Sequence, residues 1–326
     1  MTTDLHGDFI PFNIMEDYVK IINGNYKMRY LINHRRDIPP LGYFDNAEIK
    51  EVNKIFHVFA EPLVFKNRVT ANFDKSLILE EPEKPISFIT SENTDKFQIL
   101  IDKNNFENIN VLQNTAKKLR QVYSEEISLE LGMRKNLVPD PQVVITLAKY
   151  YFILYPLLKP FFAKIGEKIA EDIAEDIYDG CKKNAKAAVK KLSETVRIVR
   201  QNMIPKDKIL HTIFEIPGTP TIELHIKSDD ATKIEKGLQA TKLFSVHKKV
   251  TSLQSQVDIS EIHFIFNSKN KWEFSYLITS DGKIIGTKLS FSKRDKLLSR
   301  IELSPTKAFS IGASGIEYER NFSRQI

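Results

Sequence analysis

Residues 143–162 constrain this chain more than any other segment. Val143, Val144, Ile145, Leu147, Phe152, Ile153, Leu154, Leu157, Leu158, Phe161 and Phe162 make the run strongly apolar, and Lys149, Pro156, Lys159 and Pro160 interrupt it. Such a run has to be covered, because large contiguous apolar patches are rare on the surface of monomers. About 20 apolar residues also suffice to span a bilayer. Two internal lysines, each costing roughly 2.5 kcal/mol or more near a helix centre, argue against a constitutive span. The expectation is a helix in a core or an oligomer interface, with Phe152, Leu154, Leu157 and Phe161 as its apolar interface residues. A membrane surface is the alternative partner.

The next segment predicts a long amphipathic helix over 165–203. Ile165, Ile169, Ile173 and Ile177 recur every four residues, and Ala188, Leu192, Val196, Val199 and Met203 continue the stripe. Its charges are segregated. Glu171, Asp172, Glu175 and Asp176 lie toward the first half, and Lys182, Lys183, Lys190 and Lys191 toward the second. Like charges at i, i+4 cost a few tenths of a kcal/mol in an isolated helix. Besides a solvated polar face, this pattern suits an electrostatic docking surface for another protein or for a second copy of the chain.

Two mixed modules flank this centre, giving an α+β fold divided at 1–138, 139–208 and 209–326. In the first, Asn23-Gly24 between apolar runs predicts a type I′ hairpin. Ile49, Val52, Ile55 and Phe56 predict a helix over 45–59, strands are expected at 86–90 and 97–102, and a helix at 111–131 with Gly132 as its stop. In the third, strands at 209–216 and 221–227 precede a helix at 231–250. An antiparallel meander follows at 262–266, 272–278 and 283–291, with Trp272, Phe274, Tyr276 and Ile278 on one face.

Composition narrows the function. The chain has 326 residues and a formal net charge of +6, which permits an acidic partner without demanding one. A single cysteine, Cys181, forbids an internal disulfide and any cysteine-rich zinc site. No secretory h-region opens the sequence, so a reducing cytoplasm is expected, with peripheral membrane association as the variant. Richness in Lys, Asn and Ile fits an AT-rich bacterial or phage genome. Neither phosphate-loop pattern occurs, and no His-Glu-x-x-His does.

Four residue sets bear on chemistry or binding. Asp37 with Glu48-Ile49-Lys50 has the spacing of a nuclease core, but Glu48 is expected at a helix start. Tyr26, Lys27, Met28, Arg29 and Tyr30 interleave aromatics and bases, yet alternation puts them on opposite faces, which weakens a nucleic-acid platform. Cys181 reads as a small hydrophobe. His211, His225 and His263 fall on expected strands of one segment and could converge, but such histidines are usually buried neutral side chains. No catalytic residue, metal or cofactor is assigned. The expectation is a non-enzymatic, oligomeric or partner-binding scaffold acting through its central helical segment; the alternatives are a membrane-associating effector acting through 143–162, an enzyme with no recognisable motif, or a nucleic-acid-binding protein.

Overall fold

A computed structural model describes residues 2–3, 9–89, 97–123, 130–134, 141–147 and 175–302. Phe152, Leu154, Leu157, Phe161, Glu171 and Asp172 lie outside the described residues. So do the side chains of Glu175, Asp176, Lys182 and Lys183. The fold is α+β with mixed sheets. It forms two compact units, one of residues 1–89 and 280–326 and one of residues 90–279. These boundaries differ from the three segments drawn from the sequence.

Where a hairpin was expected, the first unit has helix α1 (Phe12–Asn23). Met15 and Ile22, two turns apart, are its buried residues. Gly24 has φ −72°, so Asn23-Gly24 makes no type I′ turn. Asn23 instead anchors the helix end, donating from Nδ2 to the Ala47 carbonyl at 2.7 Å and accepting the Ala47 N–H at 2.6 Å. The left-handed turn falls at Asn53 and Lys54, with φ 53° and 65°. It joins strands β1 (Gly42–Val52) and β2 (Ile55–Val64). The helix expected over 45–59 is therefore a hairpin. Its apparent helical period comes from two arms folded together, with Ile49 opposite Val58 and Val52 opposite Ile55. Glu48 and Lys50 sit on β1, about half exposed and paired with each other, while Asp37 is bound by Arg35. Strands β3 (Asn67–Thr70) and β4 (Leu77–Glu81) follow.

The second unit is built on a mixed sheet. Its elements are β5 (Gln98–Asp102), α2 (Ile109–Tyr123), β6 (Glu130–Arg134), β7 (Gln142–Thr146), α3 (Glu175–Asn202), β8 (His211–Ile216) and β9 (Thr221–Lys227). Helices α4 (Thr232–Gly237) and α5 (Ala240–Gln254) and strands β10 (Ile259–Phe266) and β11 (Trp272–Thr279) follow. The strand order is β6-β5-β7-β8-β9-β10-β11. Three pairs, β5/β6, β7/β8 and β9/β10, are parallel. Each is joined through at least one helix, as parallel pairing requires. The pairs meet one another antiparallel.

Several expectations change here. The helix read over 111–131 ends at Tyr123, and Gly132 lies within β6. The start of the apolar run is not helical but the buried strand β7, between β5 and β8. A strand paired on both edges and covered on both faces reads as a continuous apolar run, and so does a buried helix. The helix at 231–250 is two helices, α4 and α5. The expected strand at 283–291 is a short strand followed by a helix of the first unit. Among the described residues, no helix is long and apolar enough to cross a membrane.

One face of this sheet is apolar and packs under helices. Ile226 and Trp272 meet Gly237 of α4, the Trp272 indole N–H donates to the Gly237 carbonyl at 2.9 Å, and Tyr123 of α2 bonds Thr195 of α3 at 2.5 Å. Trp272, Phe274, Tyr276 and Ile278 do not share a face. A register shift between His263 and Phe264 pairs Phe264 with Phe274 but His263 with Tyr276. The extra residue, Ser275, reverses the alternation. Trp272 and Phe274 therefore side with the helices, and Tyr276 with the opposite face.

The chain returns to the first unit through β12 (Ile284–Thr287) and α6 (Lys288–Glu302). β12 pairs antiparallel with β4. Arg294 on α6 grips Glu80 of β4 with two bonds, 2.7 and 2.8 Å, and donates to the Pro40 carbonyl at 2.8 Å. Arg68 of β3 joins Glu80 at 2.9 Å and Asp295 at 2.8 Å. Burial opposes ionisation of Asp295, yet Arg68 and Arg294 outweigh it and hold its carboxyl below the ordinary range. Both guanidiniums also flank the Phe291 ring.

Breaking this buried pair by Arg294→Met should cost about 3–5 kcal/mol in urea unfolding, and Glu80→Met/Arg294→Met should recover much of the loss. Trp272→Ala should cost about 3–5 kcal/mol, and the native Trp272 emission should be blue-shifted. Burial pushes the His57 imidazole below its ordinary value. The unfolded chain then binds a proton more readily than the folded one. Stability should therefore fall as pH drops below about 6.5, and His57→Phe should flatten that slope.

Candidate metal centre

The opposite face of the second sheet carries a polar row. Register places Thr146, Glu215, Glu223, His263 and Tyr276 side by side across β7, β8, β9, β10 and β11. His225 and Glu261 follow on the same face, each two residues from its strand's member of the row. Glu223, His225 and His263 are 0% exposed, Glu261 1% and Glu215 3%. Polar groups this deep require hydrogen bonds or ions to offset desolvation.

Their geometry is specific. His225 Nε2 stands 3.1 Å from His263 Nδ1 and 3.4 Å from Glu223 Oε2, and His263 Nδ1 stands 3.3 Å from Glu223 Oε2. The three atoms form a nearly equilateral triangle. Tetrahedral zinc, with bonds of about 2.0–2.1 Å, holds its donors about 3.3–3.4 Å apart. Octahedral coordination with the same bonds would bring them to about 2.9 Å. Two imidazoles and one carboxylate also select a transition metal over magnesium or calcium, which favour oxygen alone.

The outer nitrogens are also engaged. His263 Nε2 lies 2.7 Å from Glu261 Oε1, and His225 Nδ1 lies 3.0 Å from His211 Nε2. Metal-binding histidines usually anchor their second nitrogen by a hydrogen bond, as His225 does through His211. The Tyr276 ring stacks on His263 with centroids 3.9 Å apart and planes 13° from parallel. Thr146 Oγ1 donates to Glu215 Oε1 at 3.4 Å.

Two diagonal contacts build the cluster. His211 lies opposite Lys227 and His263 opposite Glu223, so His225 reaches one residue on each neighbouring strand across the diagonal. The structure thus brings together the three histidines whose convergence the sequence left open. It adds Glu223 and Glu261, which sequence reasoning missed. A signal was present: Glu-x-His occurs twice, at Glu223-Leu-His225 and Glu261-Ile-His263, each within an apolar strand. On a strand that spacing puts acid and imidazole on one face.

Of the residues proposed for partner docking, Lys190 is exposed and Lys191 half-buried on α3. The chain matches no protein-family model, no curated protein and no solved structure.

Proposed function

We propose that this protein binds one divalent transition-metal ion, zinc by preference, through Glu223 Oε2, His225 Nε2 and His263 Nδ1. This replaces the sequence-based expectation of no metal. The supporting observation is the donor triangle, whose sides of 3.1, 3.3 and 3.4 Å fit tetrahedral zinc. Three protein donors leave the fourth position to water or another donor. The ion would cross-link β9 to β10, and its positive charge would suit a layer that buries Glu215, Glu223 and Glu261. Full burial of the donors favours an ion that stays in place and stabilises the sheet.

Elemental analysis after loading with zinc should give one ion per chain. Cobalt(II) should produce the intense visible absorption of a tetrahedral site. At free zinc 100-fold above Kd, stability should rise by about 2.7 kcal/mol. Glu223→Gln and His263→Gln should lose the stoichiometric ion and the colour. Zinc uptake by the wild type no greater than by Glu223→Gln would overturn the proposal.

A second reading keeps α3 as a partner-docking helix in an oligomer or scaffold. Its support is that Lys186, Lys190, Arg197 and Gln201 are all exposed and fall within one narrow arc at helical spacing. An acidic protein partner suits that face. Lys186→Glu with Lys190→Glu should slow association most at low salt, measured by stopped flow with whatever partner co-purifies.

A further inference from the structure

Strand β3 ends its sheet. It pairs with β4 and with no other strand among the described residues, and all its residues are exposed. The Ala71 N–H donates to the Leu77 carbonyl at 3.0 Å. Alternation in an antiparallel pair then turns the backbone groups of Asn67 and Val69 toward β4, and those of Arg68 and Thr70 outward. The outward N–H and C=O groups line a sheet edge, the usual template for an added strand.

A cleft of about 370 Å³ lies between β3 and α6. The buried Phe291 forms part of its wall. Arg68 and Asp295 also line it, and they neutralise each other through two bonds of 2.8 and 3.1 Å. Lys288, Ser292 and Lys296 line it at i, i+4 and i+8, one exposed stripe of α6. Neither lysine has an ionic partner among the described residues. The cleft thus keeps unmatched positive charge beside backbone donors and acceptors that face outward.

We infer that β3 and this cleft bind an acidic segment of another protein as an added β-strand. Backbone bonds to Arg68 and Thr70 hold the segment, and alternate acidic side chains reach Lys288 and Lys296. The spacing agrees. The two lysines lie about 12 Å apart along α6. Same-face side chains at i and i+4 of an extended peptide lie about 13–14 Å apart. A basic strand gains the backbone bonds alone and meets repulsion from the lysines. A compact acidic ligand gains the lysines alone. The site lies wholly within the first unit, so it stands independently of the metal.

The test uses the full chain and fluorescein-labelled peptides of about six residues, the usual length of a strand, that alternate Glu with Val. Fluorescence anisotropy should show saturable binding, and replacing every Glu of the peptide by Lys should abolish it. Methylating the amide nitrogens of one alternate set of peptide residues should also abolish binding. Methylating the other set should leave it, because only one set faces β3. Lys288→Glu with Lys296→Glu should weaken binding about tenfold. Thr70→Pro should remove it with the urea midpoint unchanged, because the lost N–H points away from β4. Equal binding by the two methylated peptides, or by the Glu and Lys peptides, overturns the inference. So does no anisotropy change up to about 1 mM peptide. A dimer of the chain that Thr70→Pro abolishes also overturns it, and assigns the edge to a second copy.

Discussion

The register of β9 is the constraint on which the second unit depends. This strand is hydrogen-bonded on both edges, antiparallel to β8 and parallel to β10. A slip of one residue would turn Glu223 and His225 into the apolar helix side and Leu224 and Ile226 into the polar side. A slip of two would keep the faces but separate Glu223 from His263. The polar row exists only in one alignment. Buried polar groups satisfied in a single arrangement can specify that arrangement even where they add little net stability.

The two faces of the sheet divide the physical tasks. Leu224, Ile226, Phe264, Phe266 and Trp272 supply the apolar burial that drives collapse, and Gly237 lets α4 approach Ile226 and the indole closely. The other face holds carboxylates and imidazoles, which burial alone disfavours. Partners placed across neighbouring strands offset that cost, because cross-strand and diagonal side chains lie within reach of one another. Ser275 makes this division workable on β11. Without that bulge, Trp272 and Phe274 would share the polar side with Tyr276.

Much of the second unit was legible in sequence, and the losses have physical causes. β8, β9 and β10 show as apolar strands bounded by turn residues, and α3 as a repeating stripe. Residues 143–146 misled because a fully buried strand and a buried helix have the same composition. Ile49, Val52, Ile55 and Phe56 misled because a tight hairpin folds two alternating arms into a false period of three and four. Asn23-Gly24 suits a hairpin turn in isolation, but the side chain of Asn23 is held by the backbone of Ala47, a contact no local pattern reveals. The histidines were visible and their strands correctly placed. Their meeting depends on register between strands far apart in sequence, and that is set by packing.

The first unit is discontinuous, and this has a temporal consequence. Glu80 and its buried partner Arg294 are 214 residues apart. At the usual 5–20 residues per second, a ribosome needs about 10–40 s to travel from one to the other. The second unit, residues 90–279, is contiguous and wholly made within that interval. The first unit cannot close until β12 and α6 emerge, so its Glu80 carboxylate and the edge of β4 wait in water meanwhile. Birth order thus makes the inserted unit the one that can fold first, and the unit split around it the last to be completed.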